Sequence, residues 1–141
     1  MRILALDVGE KRIGVAVSDA GGTIAQAGGV IVRRSLRQVL EEVRTRVAAA
    51  GAARIVVGLP LRMDGTEGDA AAAVRKFIEA LRGAVSVPIE VQDERLSTSE
   101  AERVMIAAGA QRARRRAARD AVAAALFLQT YLDRQPHERH R

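Results

Sequence analysis

The sequence contains no cysteine and no tryptophan, and it has only three aromatic residues, two histidines and two lysines. Without cysteine there is no disulfide, no thiolate metal site and no cysteine nucleophile. Both histidines, His137 and His140, lie at the very end of the chain, which disfavours a zinc site. With Phe77, Phe127 and Tyr131 as the only aromatics, base stacking is not expected to be the main way of recognising a nucleic acid.

Long hydrophobic runs are also absent. No apolar run approaches the roughly 20 residues that a membrane-spanning helix needs. Asp7 interrupts the first apolar run, so the N-terminus does not have the pattern of a secretory signal. The 141 residues suffice for one compact domain with a sizeable core. We therefore expect one domain over residues 1–135, a flexible tail over 136–141, and a cytoplasmic protein without a membrane partner.

The net charge of +6 is carried almost entirely by arginine and is unevenly distributed. Five arginines with no acid among them form what we call the arginine cluster: Arg112, Arg114, Arg115, Arg116 and Arg119. The other lysines and arginines nearly balance the 17 acids. A basic segment on a nearly neutral chain suits nucleic-acid phosphates. A solvated helical surface would carry the same charges, and charge alone does not decide between the two.

The first third of the chain has the pattern of β-structure. Apolar runs predict strands over residues 2–8, 12–18 and 23–33. The first two are joined by residues 9–11 and must form an antiparallel hairpin. Gly28-Gly29 inside the third run predicts a bend or a bulge.

Helices and strands alternate in the remainder. Ser35 and Gln38 have the spacing of a capping box at the start of a helix, which Gly51 can end in the left-handed conformation. Further elements are predicted as a strand over 54–58, a helix over 69–82, a strand over 87–92, a helix over 97–109 and a helix over about 118–132. In the last helix, Val122, Leu126, Gln129 and Leu132 lie near one stripe. The order β-β-β-α-β-α-β-α-α predicts an α/β fold, a mixed five-stranded sheet with helices on its faces.

Three acidic positions follow apolar segments and are candidates for chemistry. Asp7 ends an apolar strand, where a carboxylate is costly unless it is paired or binds metal. Asp93 and Glu94 follow a strand of the parallel kind, whose carboxyl end is where open α/β sheets place their sites. Side chains alternate along a strand, so only one of this pair can face the pocket of Asp7. Asp120 is expected in the first turn of the last helix, where small residues after it allow close packing on the sheet.

Each acid also has a structural interpretation. Asp7 could cap the turn before Gly9, Asp93-Glu94 could be a solvated pair beside Arg95, and Asp120 could simply suit the helix dipole. Carboxylates from three separate segments nevertheless suit Mg²⁺ or Mn²⁺. Two such ions, roughly 3.5–4 Å apart, activate water and stabilise the leaving oxygen in phosphodiester hydrolysis. The pattern therefore favours a metal-dependent nuclease.

The hairpin 7–14 has a competing interpretation. An acid and glycines at a strand turn also occur in the phosphate loops of sugar kinases and actin-type ATPases, although the spacing is not that of a P-loop. Those enzymes enclose ATP between two such domains, and this chain supplies one. Lys11 and Arg12 could contact substrate phosphates or be solvated turn residues. A third hypothesis is a non-catalytic RNA-binding factor, which the arginine cluster suggests.

Four segments together resemble the YqgF/RuvX family: residues 7–19 (DVGEKRIGVAVSD), 57–68 (VGLPLRMDGTEG), 93–98 (DERLST) and 120–133. The likeness covers nearly the whole chain in the right order. It implies a ribonuclease H-like fold and maturation of the pre-16S rRNA 5′ end, and it implies relatedness to Holliday junction resolvases of the RuvC type. The alternative substrate is therefore a DNA four-way junction, which would need a dimer to cut both strands symmetrically.

By position, the resemblance places the family's catalytic, metal-binding acids on Asp7, Glu94 and Asp120, with two Mg²⁺ or Mn²⁺ ions. It is the resemblance, not the strand pattern, that selects Glu94 over Asp93. The residues expected to bind nucleic acid are Lys11, Arg12, Arg62, Arg114, Arg115 and Arg116. The chain departs from the family pattern at Arg119, where an apolar residue is usual, and at Arg62, where a small polar residue is common. Either a monomer or a homodimer is compatible with the sequence.

Overall fold

A computed structural model describes residues 1–93 and 112–134, and for residues 112–119 it describes the backbone alone. These ranges contain five strands and three helices. In chain order they are β1 (Arg2–Val8), β2 (Arg12–Ser18), β3 (Ala25–Val32), α1 (Leu36–Ala50), β4 (Ala52–Leu59), α2 (Asp69–Arg82), β5 (Ile89–Asp93) and α3 (Arg112–Arg134). Among them, no helix has the length and apolar character to cross a membrane. The helix predicted over 97–109 and the tail predicted over 136–141 lie outside the described residues.

The strands form one mixed sheet in the order β3-β2-β1-β4-β5. β1 pairs antiparallel with β2 and parallel with β4, β3 pairs antiparallel with β2, and β5 pairs parallel with β4. The predicted hairpin and mixed sheet are therefore confirmed. Because β1, β3, β4 and β5 run in the same direction, their C-terminal ends meet at one edge, which we call the carboxyl edge.

The predicted ends of α1 are confirmed in detail. Gln38 N donates to Ser35 Oγ at 3.1 Å, and Ser35 N donates to Gln38 Oε1 at 3.2 Å, which completes the capping box. Gly51 ends the helix with φ of 64°, a conformation that costs a glycine nothing.

The bulge predicted at Gly28-Gly29 is also present. The pairing of β2 with β3 shifts register between Gly14 and Ala16, so the two glycines lie opposite the single residue Val15. Gly29 has φ of 90°, which side chains rarely adopt. The bulge is therefore where the extra residue of β3 is accommodated.

The sheet buries a different apolar cluster on each face. The face that carries α1 and α2 is the larger and includes Leu4, Leu6, Ile13, Val15, Ile31, Ile55, Val57, Leu59, Phe77 and Leu81. The opposite face carries α3 and is built from Ile3, Ala5, Ala16, Val56, Ala124, Phe127, Leu128, Tyr131 and Leu132. The small side chains of Ala5, Ala16 and Ala124 allow α3 to lie close to the strands.

Helix α3 differs from its prediction in two respects. It begins at Arg112 rather than near Ala118, so Asp120 lies in the helix interior and not in a first turn. Of the predicted stripe only Leu132 is buried: Val122, Leu126 and Gln129 are partly buried, whereas Phe127 and Leu128, which were not predicted, are fully buried. Arginine is a good helix former, and the arginine cluster continues the helix instead of preceding it.

A polar cluster connects the far end of α3 to β4 and β5. Arg54 Nη1 donates to the hydroxyl of Tyr131 at 2.6 Å, and that hydroxyl donates to Glu90. Burial, followed by the hydrogen bond to Glu90, raises the pKa of Tyr131. The phenol therefore stays neutral and protonated at neutral pH, as the hydrogen bond to Glu90 requires.

Helix α3 lies very close to the sheet at Gly14. A Cβ at this position would lie 2.0 Å from the backbone oxygen of Asp120 and 3.2 Å from the backbone nitrogen of Ala121. No side chain fits there unless the backbone of α3 moves. Glycine at this position therefore sets how closely the helix approaches β2.

We expect Gly14→Ala to lower the free energy of unfolding by about 3 kcal/mol, since an added methyl group must displace helix backbone rather than a flexible side chain. Urea unfolding followed by circular dichroism measures the change. Gly83→Ala is the matched control: φ there is −76°, and a Cβ would be 3.5 Å from its nearest neighbour. That variant should be as stable as the parent, or more stable by up to about 1 kcal/mol. Equal stability of the two variants would contradict this account of Gly14.

Candidate active site at the carboxyl edge

Asp7 is the penultimate residue of β1, at the carboxyl edge of the sheet. It follows Ile3 and Ala5 in the alternation of the strand, and both pack against α3. The carboxylate of Asp7 is accordingly on the α3 face, and the residue is half-buried. Because β1 is flanked by β2 and β4, the backbone that carries this carboxylate is held on both sides.

Gly14 brings Asp120 to the same place. Gly14 is the register partner of Asp7 in the β1–β2 pair, and facing residues of an antiparallel pair have Cα atoms roughly 4.5–5.5 Å apart. The backbone of Asp120 lies directly over Gly14. Two of the three predicted catalytic acids, far apart in sequence, therefore meet on one face of the carboxyl edge.

Asp120 is engaged by an arginine of the hairpin. Arg12 Nε donates to Asp120 Oδ2 at 2.6 Å, a charge-assisted hydrogen bond between side chains that are 28% and 23% exposed. Arg12 was predicted to contact substrate, and Asp120 to bind metal. In the structure these two residues form one ion pair. The sequence did not predict this contact, because the two residues are 108 positions apart.

Lys11 lies in the exposed turn between β1 and β2. That turn is held by Arg33, a residue that sequence reasoning missed. Arg33 Nη1 donates to the Gly9 carbonyl at 2.6 Å, and its backbone N donates to the Lys11 carbonyl at 2.9 Å. The guanidinium also lies 5.7 Å from the centre of the Phe77 ring, within the range of a cation–π contact. Arg33 thereby fixes the segment from which Lys11 and Arg12 project.

Arg62 is exposed in the loop that follows β4, at the same edge of the sheet. The loop turns back on itself, since Gly65 N donates to the Arg62 carbonyl at 2.8 Å and Arg62 N donates to the Thr66 carbonyl at 2.8 Å. The guanidinium packs over Gly68, where a Cβ would lie 2.5 Å from Arg62 Nε. A glycine before α2 thus leaves room for this arginine beside the site.

The strand β5 distinguishes the two acids at its end. Asp93 pairs with Leu59, whose side chain packs on the α1–α2 face. Gln92 points the other way: it is buried, and its Nε2 donates to the Phe127 carbonyl of α3 at 2.8 Å. Asp93 is therefore out of phase with Asp7, while Gln92 shares its face. Glu94 lies outside the described residues.

The arginine cluster lies on the site side of Asp120 along α3. Asp120 sits over Gly14, and the eight preceding helical residues extend about 12 Å from it at 1.5 Å per residue. Arg114, Arg115 and Arg116 belong to that backbone segment. The helix that was predicted to begin after the arginine cluster therefore runs through it.

Asp19 ends the 7–19 segment but does not belong to the site. Its carboxylate accepts hydrogen bonds from Ile24 N at 3.0 Å and Thr23 N at 2.7 Å, in the turn between β2 and β3. These backbone donors, Ile24 first, lower the pKa of Asp19. This turn is at the edge opposite Asp7, so the role of Asp19 is structural.

Within residues 1–93 and 112–134, no group of three acidic or histidine side chains is arranged to hold a metal ion. The donor set that is described is a pair of carboxylates on one face, Asp7 and Asp120, and carboxylates are the ligands that Mg²⁺ and Mn²⁺ prefer. Phe77, Phe127 and Tyr131 are all buried. The described part of this edge therefore offers a ligand cations rather than exposed aromatic rings.

Solved structures share this fold over almost the whole chain. RuvC of T. thermophilus in complex with a Holliday junction substrate superposes with a TM-score of 0.59 at 14% identity, covering 95% of each chain. The fowlpox virus Holliday junction resolvase gives 0.55 at 13% identity, covering 96% of this chain and 100% of its own. These likenesses confirm the ribonuclease H-like fold of RuvC-type resolvases that the resemblance implied.

Curated relatives are much more similar in sequence. A protein of Symbiobacterium thermophilum named "Putative pre-16S rRNA nuclease" is 53% identical over 133 residues, covering 94% of this chain and 92% of its own length. A protein of the same name from Thermoanaerobacter pseudethanolicus is 46% identical over 139 residues, covering 98% and 100%. The family model described as "RuvX: Holliday junction resolvase" matches residues 1–134. The chain belongs to the RuvX family.

Proposed function

We propose that this nuclease hydrolyses phosphodiester bonds of RNA at the carboxyl edge of its sheet, with two Mg²⁺ or Mn²⁺ ions bound by Asp7, Glu94 and Asp120. The observation that carries the proposal is the convergence of Asp7 and Asp120 over Gly14. Membership of a family of nucleases makes hydrolysis of ester bonds the reaction. Bound at such acids, divalent ions supply activation of the attacking water and neutralise charge at the leaving oxygen.

The alternation of β5 supports Glu94 as the third ligand. Gln92 is anchored to α3 on the face of Asp7, and Asp93 is on the opposite face. By elimination this leaves Glu94, the other acid of the pair. The same choice follows from the resemblance, so two independent arguments agree.

The remaining residues of the site would bind and orient the substrate. Lys11 lies on the rigid turn that Arg33 holds, and Arg62 lies across the edge on the loop after β4. With Arg12 and the arginine cluster, represented by Arg114, Arg115 and Arg116, they would contact backbone phosphates. Such contacts give affinity and register but little sequence readout.

Pre-16S rRNA is the substrate that the names of the relatives favour, and the resemblance to the family narrows the site to its 5′ end. Processing of that precursor would place the enzyme in the cytoplasm. The alternative is a DNA four-way junction, favoured by the likeness to RuvC in complex with such a junction. That reaction would call for a homodimer, whereas a monomer suffices for a single cut at an RNA end.

Asp7→Asn should abolish metal-dependent cleavage, with a loss of more than about 10³-fold, because it removes a ligand charge from the site. Fold and RNA affinity should be nearly unchanged. The assay incubates the protein with Mg²⁺ or Mn²⁺ and pre-16S rRNA, a four-way junction or plain duplex. Asp133→Asn, at the far end of α3, removes the same charge away from the site and should cleave like the parent.

Three results of this assay would change the assignment. Retained cleavage by Asp7→Asn would refute the site. Preference for the junction over the rRNA precursor would support the resolvase alternative. Function that survives chelation of all divalent ions would support the non-catalytic RNA-binding hypothesis.

The two acids after β5 give a second test. Glu94→Gln should abolish cleavage as Asp7→Asn does, whereas Asp93→Asn should retain most of the activity because its side chain is on the other face. Both variants lose one negative charge at adjacent positions, so general electrostatics affects them equally. The opposite pattern in the cleavage assay would assign the third ligand to Asp93.

A further inference from the structure

We propose that Arg12 is a positioning residue that withholds Asp120 from metal until a substrate phosphate takes its guanidinium. This inference rests on the proposed role of Asp120 as a metal ligand. The juxtaposition that carries it is the ion pair across the site, Arg12 Nε to Asp120 Oδ2 at 2.6 Å. One oxygen of the carboxylate is thereby occupied by a donor that a cation would have to displace.

The pair is placed where its strength matters. Both side chains are roughly three-quarters buried, between the end of the hairpin and the body of α3. A charge-assisted hydrogen bond at partial burial is stronger than an exposed ion pair, because less water competes for either charge. Asp120 is on a helix whose position is fixed at Gly14, so its carboxylate cannot retreat from the guanidinium without a change in side-chain conformation.

Arg12 has the freedom that Asp120 lacks. Arg12 is the first residue of β2, so its backbone is held between the buried Ile13 and the turn that Arg33 fixes. Its side chain, in contrast, is long and 28% exposed. A guanidinium carries five donors in a planar fork that matches phosphate as well as carboxylate. Arg12 can therefore pass from Asp120 to a phosphate by changing rotamer, with no movement of the sheet.

The exchange couples metal binding to substrate binding. While Arg12 is on Asp120, metal competes with a cation already in place. Once Arg12 moves to a phosphate, the carboxylate becomes available and the substrate supplies the negative charge that keeps the guanidinium away. Coupling of this kind is reciprocal, so metal should in turn strengthen the hold of Arg12 on phosphate. The free protein would then bind metal weakly and assemble its site on the substrate.

The test measures Mn²⁺ affinity of the full chain without substrate, by calorimetry and by water-proton relaxation. Arg12→Gln should bind Mn²⁺ about 10-fold more tightly than the parent, the equivalent of one charge-assisted hydrogen bond. Lys11→Gln is the matched control, because it removes the same charge at the adjacent position from an exposed side chain. It should change Mn²⁺ affinity by less than about 2-fold, as expected of an exposed charge.

A second readout follows the contact itself. In ¹⁵N spectra, Arg12 Nε–H should give a slowly exchanging signal in the free protein. Saturating Mg²⁺ together with an oligonucleotide of the pre-16S 5′ region should shift that signal. In Asp120→Asn, the Arg12 Nε–H should exchange rapidly even when neither Mg²⁺ nor oligonucleotide is present.

The outcomes separate the two proposals. Adding Asp120→Asn to Arg12→Gln should weaken Mn²⁺ binding, and that loss supports the metal site whatever Arg12 does. Unchanged or weaker Mn²⁺ binding in Arg12→Gln, or an equal gain in Lys11→Gln, overturns the role of Arg12 while leaving the site intact. Equal Mn²⁺ affinity of Arg12→Gln with and without Asp120→Asn overturns both.

Discussion

The arrangement of the site depends on one contact, the packing of the α3 backbone against Gly14 of β2. β2 has no side chain at that position, so the helix backbone takes the space of a Cβ: an added Cβ would lie 2.0 Å from the backbone oxygen of Asp120. The register of β1 with β2 then puts Asp7 beside the same point. Any larger residue would lift the helix and separate the two carboxylates. One missing methyl group thus controls both the packing of a core and the geometry of the candidate active site.

The rest of the fold supports that contact from both ends of α3. At the far end, Tyr131 ties the helix to Arg54 of β4 and Glu90 of β5, and Gln129 accepts a hydrogen bond from the backbone of β3 at 2.9 Å. Near the site, Gln92 holds β5 to the helix. These polar ties fix where along the sheet the helix lies, which apolar packing alone specifies weakly because it is non-directional. The helix therefore holds Asp120 at a defined position, where Arg12 forms an ion pair with it.

Much of this fold was predictable because its signals are local. The hairpin, the Ser35 capping box and the glycine bulge are each specified by a few adjacent residues, and each is confirmed. The final helix was predicted less well. Its start was predicted near residue 118 although the helix begins at Arg112, and most of its predicted stripe was wrong because Ala, Val and Leu occur around the whole helix. Where a helix is apolar on several sides, periodicity does not identify the face that the sheet will cover.

By itself the sequence determined that an acid lies at the end of the first strand, that glycines follow it, and that the chain resembles a family of nucleases. Only the tertiary structure decided that Gly14 is where the helix touches the sheet, that Asp93 is on the opposite face from Asp7, and that Arg12 holds Asp120. The physical reason is distance along the chain. Strand ends and caps are settled by neighbouring residues, whereas a contact across 108 residues depends on how a whole helix is seated, and that is a property of both partners together.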